Sequence, residues 1–282
     1  MRHSITLTVG PRTFRVRSDW RAPIAALEQL YANYPREDGT PHFTVRLEAT
    51  RLWRRWLRPQ VAIAGDYTLP DAVPVGLQHG LLAPEMAMNL QMALGERHFL
   101  LLHAATVERG GRAIILTGES GSGKSTLAAL LITRGWRFMG DEFALIDPGS
   151  GLVHPFPRPV SLKNESIALI RPEAPNGWFG PVMAATAKGD ICHLAPDLDS
   201  LAAMHEPAMA AAIVFPRFGF AQEQRPVEHG EALVRLTQAS TNYTALGELG
   251  FAALTRLVTS VPAVAIDYPD SDSGIAQIEA LA

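Results

Sequence analysis

The chain has 282 residues, enough for one large domain or for a main domain with a smaller one attached. Hydrophobic residues make up 47% and charged residues 19%, the balance of a chain that buries a substantial core. A net charge of −3 provides no overall positive field to gather nucleic acid, so no nucleic-acid partner is expected.

Residues 5–9 and 13–17 alternate polar and apolar side chains across the turn dipeptide Gly10-Pro11, which predicts two short strands. The amino terminus lacks the apolar core of a secretory signal. Residues 25–34 have a helical pattern that stops before Pro35, and residues 43–47 alternate like a further strand. Read as a helix, the stretch from Arg51 to Arg58 places Arg51, Arg54, Arg55 and Arg58 on one side and Leu52, Trp53, Trp56 and Leu57 on the other. Two readings stand: a surface helix anchored by its tryptophans, or a basic face that docks an acidic peptide. From Pro59 to Pro84 proline and glycine predict turns more than long elements. Pro84 then opens a helix along which Met86, Leu90, Ala93 and Leu94 recur at helical spacing.

A second unit begins near Phe99. Residues 99–102 and 113–117 are apolar runs suited to buried strands. Residues 125–134 predict a helix closed by Gly135, and residues 136–139 the next strand. Leu246, Leu249, Gly250, Ala253, Leu254 and Leu257 trace one helix face. Residues 261–268 read as a strand, and 273–281 as a closing helix capped by Asp272 or Ser273. The longest strongly apolar stretch, about eight residues from Ala208 to Phe215, is far short of a membrane span, and no membrane partner is expected. Cys192 is the only cysteine, so no internal disulfide and no cysteine-based zinc site can form, and a cytoplasmic location is expected.

The chemistry concentrates in Gly118-Glu119-Ser120-Gly121-Ser122-Gly123-Lys124-Ser125-Thr126, which fits the P-loop pattern G-x-x-x-x-G-K-[ST]. Glycines allow backbone N–H groups to converge on an anion, and the following helix points its positive end at the same phosphates. Lys124 supplies a mobile charge for the β- and γ-phosphates, and the Ser125 hydroxyl is placed to ligate Mg²⁺. The bare pattern arises by chance in roughly one chain of this length per hundred. Its setting, after a buried strand and opening an amphipathic helix, is what the mechanism requires. Asp141 and Glu142 follow the next strand, where one carboxylate can take a proton from an incoming hydroxyl and the other can help hold Mg²⁺. A solvated acidic loop is the alternative.

These residues resemble a known family. Leu101-Leu-His103-Ala, the P-loop and Arg134-Gly-Trp-Arg-Phe-Met-Gly-Asp141-Glu142 are similar to the core of HPr kinase/phosphorylase. Other segments resemble a narrower group, the HPr-kinase-related kinases of type A. They are residues 156–167 around Lys163-Asn164, Lys188 to Leu194, Phe215-Pro-Arg217, residues 246–254 and Trp56-Leu-Arg-Pro-Gln. The resemblance implies the phosphoenolpyruvate-carboxykinase-like variant of the P-loop architecture. It matches Asp141 to the catalytic base, His103 to a histidine near the nucleotide, and Lys124 and Ser125 to the phosphate and metal positions. Glu142 matches the second acid. The type A group is linked with peptide-modification systems. Thr126 stands where HPr kinases usually have an acidic residue, and their Asp-Asp pair is Asp-Glu here. Their downstream segment with glutamate and arginine near the metal is replaced by Lys163-Asn164-Glu165. Neither the reverse, phosphorylase activity nor HPr itself as acceptor is therefore implied.

Taken together, the sequence predicts an α/β P-loop kinase domain over residues 97–282, with a smaller α+β accessory or acceptor-docking domain over residues 1–96. The expected cofactors are ATP and Mg²⁺, and the expected acceptor is a serine or threonine hydroxyl of a peptide or small protein. Catalytic roles fall to Asp141, Lys124 and His103, with metal contacts from Ser125 and Glu142. Lys163, Asn164, Lys188 and Arg217 are further candidates for phosphate or acceptor contacts, each against a plain surface role. A Cys192-His193 nucleophile lacks a third partner. Two other functions remain open, a small-metabolite kinase and a nucleotide-dependent switch or assembly ATPase. Self-association is not decided by the sequence.

Overall fold

The computed structural model describes residues 2–36, 39–69 and 71–281, and it is a mixed α/β structure with several sheets. Strands β1 (His3–Val9), β2 (Arg12–Ser18), β3 (Phe43–Ala49), β4 (Gln60–Gly65) and β5 (Val75–Gly76) form one sheet in that order. All neighbours are antiparallel except the β2–β3 pair. Leu7, Phe14, Val16, Val45 and Leu47 sit two residues apart along their strands, and together they form one buried face. That face is covered by α1 (Arg21–Leu30) and α2 (Leu82–Gly95).

Four expectations are corrected in this region. Helix α1 starts at Arg21 and stops at Leu30, because Pro23 falls in its first turn, where the missing N–H costs nothing. The stretch from Pro59 to Pro84 contains β4, which the register with β3 makes a strand. Residues 51–58 form no amphipathic helix but a single 3₁₀ turn, Leu52–Arg55. The segment merely reverses the chain between adjacent antiparallel strands, so Leu52, Trp53, Trp56 and Leu57 are all exposed. On α2 the buried side is Ala83, Pro84, Glu85, Ala87, Met88, Gln91 and Met92, whereas Met86 faces outward. Glu85 and Gln91 have buried partners that a search for apolar periodicity overlooks.

The chain continues through β6 (Leu100–Leu102), β7 (Ala104–Arg109), β8 (Arg112–Thr117), α3 (Lys124–Thr133) and β9 (Arg137–Gly140). Next come β10 (Ala144–Ile146), β11 (Val153–His154), β12 (Val160–Lys163), α4 (Glu165–Glu173), β13 (Met183–Thr186) and β14 (Gly189–Leu194). Then follow α5 (Leu198–Ala202), β15 (Met209–Phe218), β16 (Glu223–Pro226), α6 (His229–Ala239) and α7 (Tyr243–Leu246). The last elements are α8 (Glu248–Ser260), β17 (Ala263–Tyr268) and α9 (Ser271–Glu279).

A six-stranded sheet, ordered β16-β17-β15-β8-β7-β9, forms the centre of this part. Its middle strand β15 runs parallel to both β8 and β17. Ile114, Leu116, Ala212 and Val214 enter the apolar cluster under α3 and α9. Their neighbours Ala113, Ile115, Ile213 and Phe215 enter the one under α6 and α8. Strands buried on both faces are apolar throughout, which is why these runs show no alternation. The face traced from Leu246 to Leu257 is split at Gly247, so that Leu246 belongs to α7 and Leu249 is exposed. Helix α9 begins at Ser271, with Asp270 as its cap accepting from the Ser273 N–H at 2.9 Å.

One buried ion pair fastens α2 to the segment after β11. Arg158 pairs with Glu85 and also donates to the Asn89 side chain and to the Glu85 carbonyl. The Tyr31 hydroxyl donates to Glu85 at 2.8 Å, and the Tyr34 hydroxyl donates to the Pro157 carbonyl at 2.6 Å. A buried charge left alone is far more costly than the pair is stabilising. Arg158→Met is therefore expected to lower unfolding free energy by about 3–5 kcal/mol. The double variant Glu85→Leu, Arg158→Met should recover most of that loss in urea titrations. A single-variant loss under about 1 kcal/mol would show that the pair fastens nothing.

Candidate functional site

The glycine-rich loop bridges the end of β8 and the start of α3, at the edge of a cleft of about 890 Å³. Gly123 is the cap residue of α3 at φ +96°, in the left-handed region, and a Cβ there would overlap the Tyr268 hydroxyl. Only glycine meets both demands. Because Gly123 has no side chain, no side-chain cap occupies the first-turn N–H groups of α3. Lys124 folds back so that Nζ donates to the carbonyls of Gly118 and Glu119, at 2.8 and 2.7 Å. An ammonium group has three donors, so one is left for an anion at the cleft. Burial pulls the Lys124 pKa down, opposed by the charges of Asp141 and Glu142.

Asp141 follows β9 directly and lies buried at the same cleft. The Ser125 hydroxyl donates to one carboxylate oxygen at 2.9 Å, and the Ser161 N–H of β12 donates to the other at 3.2 Å. Burial, then the neighbouring Glu142 charge, push its pKa up to about 6 against these two hydrogen bonds. Glu142 adopts φ +91°, and Asn164, on the same cleft, adopts φ +51°. Left-handed backbone at a non-glycine residue costs about 1–3 kcal/mol and gathers at functional sites. The Glu142 carbonyl lies 3.1 Å from His103 Nδ1.

His103 is not inside a strand. It sits between β6 and β7, where the chain passes from one sheet to another, with a half-exposed side chain that lines the cleft. Lys163, Asn164 and Lys188 line the same cleft. Ser161 and Lys163 share one side of β12, because Val160 and Leu162 are its buried residues. The remaining candidates lie elsewhere. Arg217 pairs with Asp267 on the far side of the loop, in a second cleft of about 860 Å³. His103, Gly118, Glu119 and Ser122 line that second cleft, whereas Ser120, Gly121, Gly123, Lys124, Ser125 and Thr126 line the first. Cys192 is buried with its thiol pKa raised by burial, and His193 is buried beside it, so neither is a reactive nucleophile. Sequence reasoning missed Ser161 and Tyr268. The alternation Val-Ser-Leu-Lys held a signal for Ser161, and nothing in the sequence marks Tyr268.

Among the described residues no three His, Cys, Asp or Glu side chains gather as a metal nest. Ser125 and Glu142 nevertheless both bring hard oxygen ligands to the cleft. One carboxylate and a hydroxyl, completed by phosphate oxygens and water, suit Mg²⁺. The Glu142 carboxylate lies 3.8 Å from His103 Nδ1.

Residues 82–167 match the family model described as SynChlorMet cassette protein ScmC. This differs from the type A group that the segments resemble, and its 86 residues (167 − 82 + 1) are under a third of the chain. They include the glycine-rich loop, Asp141 and Lys163. No curated protein matches. Among solved structures, the Hpr(Ser) kinase/phosphatase from Coxiella burnetii is similar at 15% identity with a TM-score of 0.29. That likeness covers 64% of this chain and 92% of the other.

Holding a charged Asp141 in this environment is costly, which sets a test of its surroundings. An asparagine can keep both hydrogen bonds, with its carbonyl accepting from the Ser161 N–H and its amide donating to Ser125 Oγ. A carboxyl with a folded-state pKa of about 6, against an ordinary 3.8, binds protons more tightly when folded. Its contribution is thus favourable as pH falls from about 6 toward 4 and unfavourable above that window. Asp141→Asn should accordingly melt higher than the parent at pH 8, with the gap closing by pH 4. A lower melting temperature for the variant at pH 8 would refute this account of the site.

Proposed function

We propose that the protein is a Mg²⁺-ATP-dependent phosphotransferase of the P-loop, HPr-kinase-like type, acting on a serine or threonine hydroxyl of a peptide or small protein. The observation that carries this reading is the meeting of Lys124, Ser125 and Asp141 at one cleft beside a glycine-rich loop. The first-turn N–H groups of α3 and the remaining Lys124 donor hold the phosphates, and Ser125 with Glu142 would hold the cation. Bound Mg²⁺ supplies charge neutralisation between the phosphates. The acceptor hydroxyl approaches Asp141, its oxygen bonds to the γ-phosphorus, and the bond to the β-phosphate oxygen breaks to release ADP. The hydroxyl proton passes to Asp141, whose pKa of about 6 leaves it ionised and able to accept at neutral pH. Lys163 and Lys188, which line the same cleft, add positive charge.

Support comes from the residue-by-residue resemblance to HPr kinase. On this reading residues 97–282 carry the transfer, and residues 1–96 form an accessory unit joined to it through the Arg158–Glu85 pair. The Cys192-free cleft and the absence of a buried Arg217 leave both of those residues out of the mechanism.

The test is incubation with γ-labelled ATP and a cell lysate, followed by identification of the labelled product. A labelled polypeptide is expected, and a metabolite as the sole product would overturn the acceptor assignment. Steady hydrolysis without any labelled product would favour a switch ATPase instead. Once an acceptor is known, Asp141→Asn should keep its KM for ATP within about twofold while kcat falls about 10²–10⁴-fold. The parent's kcat should rise from pH 5 to 7 as Asp141 ionises. Lys124→Ala should abolish turnover with the fold intact, and activity within about twofold of the parent would sink the nucleotide-loop reading.

A further inference from the structure

The turn between β3 and β4 carries a surface that the transfer chemistry does not use. Leu52, Trp56 and Leu57 are 80%, 78% and 63% exposed, and Trp53 is 44% exposed with the Arg54 guanidinium stacked on its ring. Side chains this exposed project from the surface and form no groove of their own. The turn is nonetheless held in place. The Trp20 indole N–H donates to the Arg55 carbonyl at 2.9 Å, and Arg55 is paired with Asp19. Four large apolar groups are thus presented to solvent on a fixed support, without the burial that the sequence pattern predicts for them.

The charges around the turn are one-sided. The registers His3↔Ser18, Ser18↔Leu47 and Ala49↔Val61 bring the start of β1 and the β3–β4 turn to the same end of the sheet. Arg2, Arg51, Arg54 and Arg58 gather there, and none has an ion-pair partner among the described residues. The acids at this end, Asp19 and Glu48, are already taken by Arg55 and Arg46. A chain of net charge −3 therefore concentrates free positive charge at the point where its tryptophans and leucines protrude.

We propose that this end of the five-stranded sheet docks on an anionic lipid surface, with Trp53 and Trp56 seated at headgroup depth. The partner must be negative to meet the arginines and soft enough to admit convex apolar side chains. A lipid headgroup layer has both properties, and tryptophan is enriched at that depth. Arginine stems lie along the apolar boundary while their guanidiniums reach phosphates. Four apolar residues with about four basic ones give a reversible, salt-sensitive attachment, not insertion. No helix among the described residues is long and apolar enough to cross a membrane.

The test uses the full chain and vesicles of phosphatidylcholine with or without about one-third phosphatidylglycerol. Cosedimentation with the anionic vesicles only is expected, together with a blue shift of tryptophan emission. Raising salt to about 0.5 M should release the protein. Trp53→Ser with Trp56→Ser should lower partitioning at least about tenfold and remove the blue shift. Both sites are exposed, so the melting temperature and any ATP hydrolysis should stay at parental values. Arg51→Ser, Arg54→Ser and Arg58→Ser together should abolish the preference for anionic vesicles. Failure to bind them at low salt, or undiminished binding by the tryptophan variant, would overturn the proposal. So would a soluble dimer that the tryptophan variant dissolves without any vesicle binding, or an acidic peptide bound at this turn in place of vesicles. None of these outcomes depends on the phosphotransfer reading.

Discussion

The carboxylate of Asp141 ties together three segments that are distant in the chain. Its two oxygens take the Ser125 hydroxyl at the start of α3 and the Ser161 N–H in β12, while its backbone leaves the end of β9. That one group links the start of α3, the end of β9 and β12 at the cleft. It does so buried and beside a second acid, which raises its pKa and makes the charged form costly. A purely structural position would be better served by asparagine, which keeps the geometry without the charge. The ionised form is what a proton-accepting role requires.

Further cost is concentrated around the same point. Glu142 and Asn164, both lining the cleft, hold positive backbone φ angles. The Ser122 hydroxyl in the loop is buried without a hydrogen-bond partner among the described residues. Such features persist only where the surroundings over-determine them. The six-stranded sheet provides that rigidity, since its central strands are packed on both faces by helices. The Arg158–Glu85 pair adds a fastening from the first sheet's covering helix, two residues after the Phe156 N–H donates to the Met139 carbonyl of β9.

The two ends of the molecule's first sheet differ in what they ask of their residues. In its interior, the alternating apolar residues of β1, β2 and β3 form the buried face, although Thr8, Arg12 and Thr13 are buried as well. At its β3–β4 end the same reasoning fails, because a helical reading of residues 51–58 assumes that large apolar groups seek burial. The short reversal between neighbouring strands gives them nothing to be buried against, and Leu52, Trp56 and Leu57 remain in solvent.

By itself the sequence determined the elements that rest on local rules. The turn at Gly10-Pro11, the strand before the loop, the helix closed at Gly135 and the loop from Gly118 to Thr126 all follow from backbone freedom and apolar patterning within a few residues. It also singled out Asp141 from its place after an apolar strand, and His103, Lys163 and Asn164 through the resemblance to HPr kinase and the type A kinases. Tertiary structure alone decided which of these meet. Lys163 and Lys188 share the cleft of Asp141, whereas Arg217 pairs with Asp267 on the neighbouring strand β17 and Cys192 is buried. It also decided that Glu85 and Gln91 face inward on α2 and that Tyr268 sits against Gly123. The physical reason is one of range. Propensity, capping and periodicity act between near neighbours in the chain, while partners such as Glu85 and Arg158 or Ser125 and Asp141 are found only when distant segments pack.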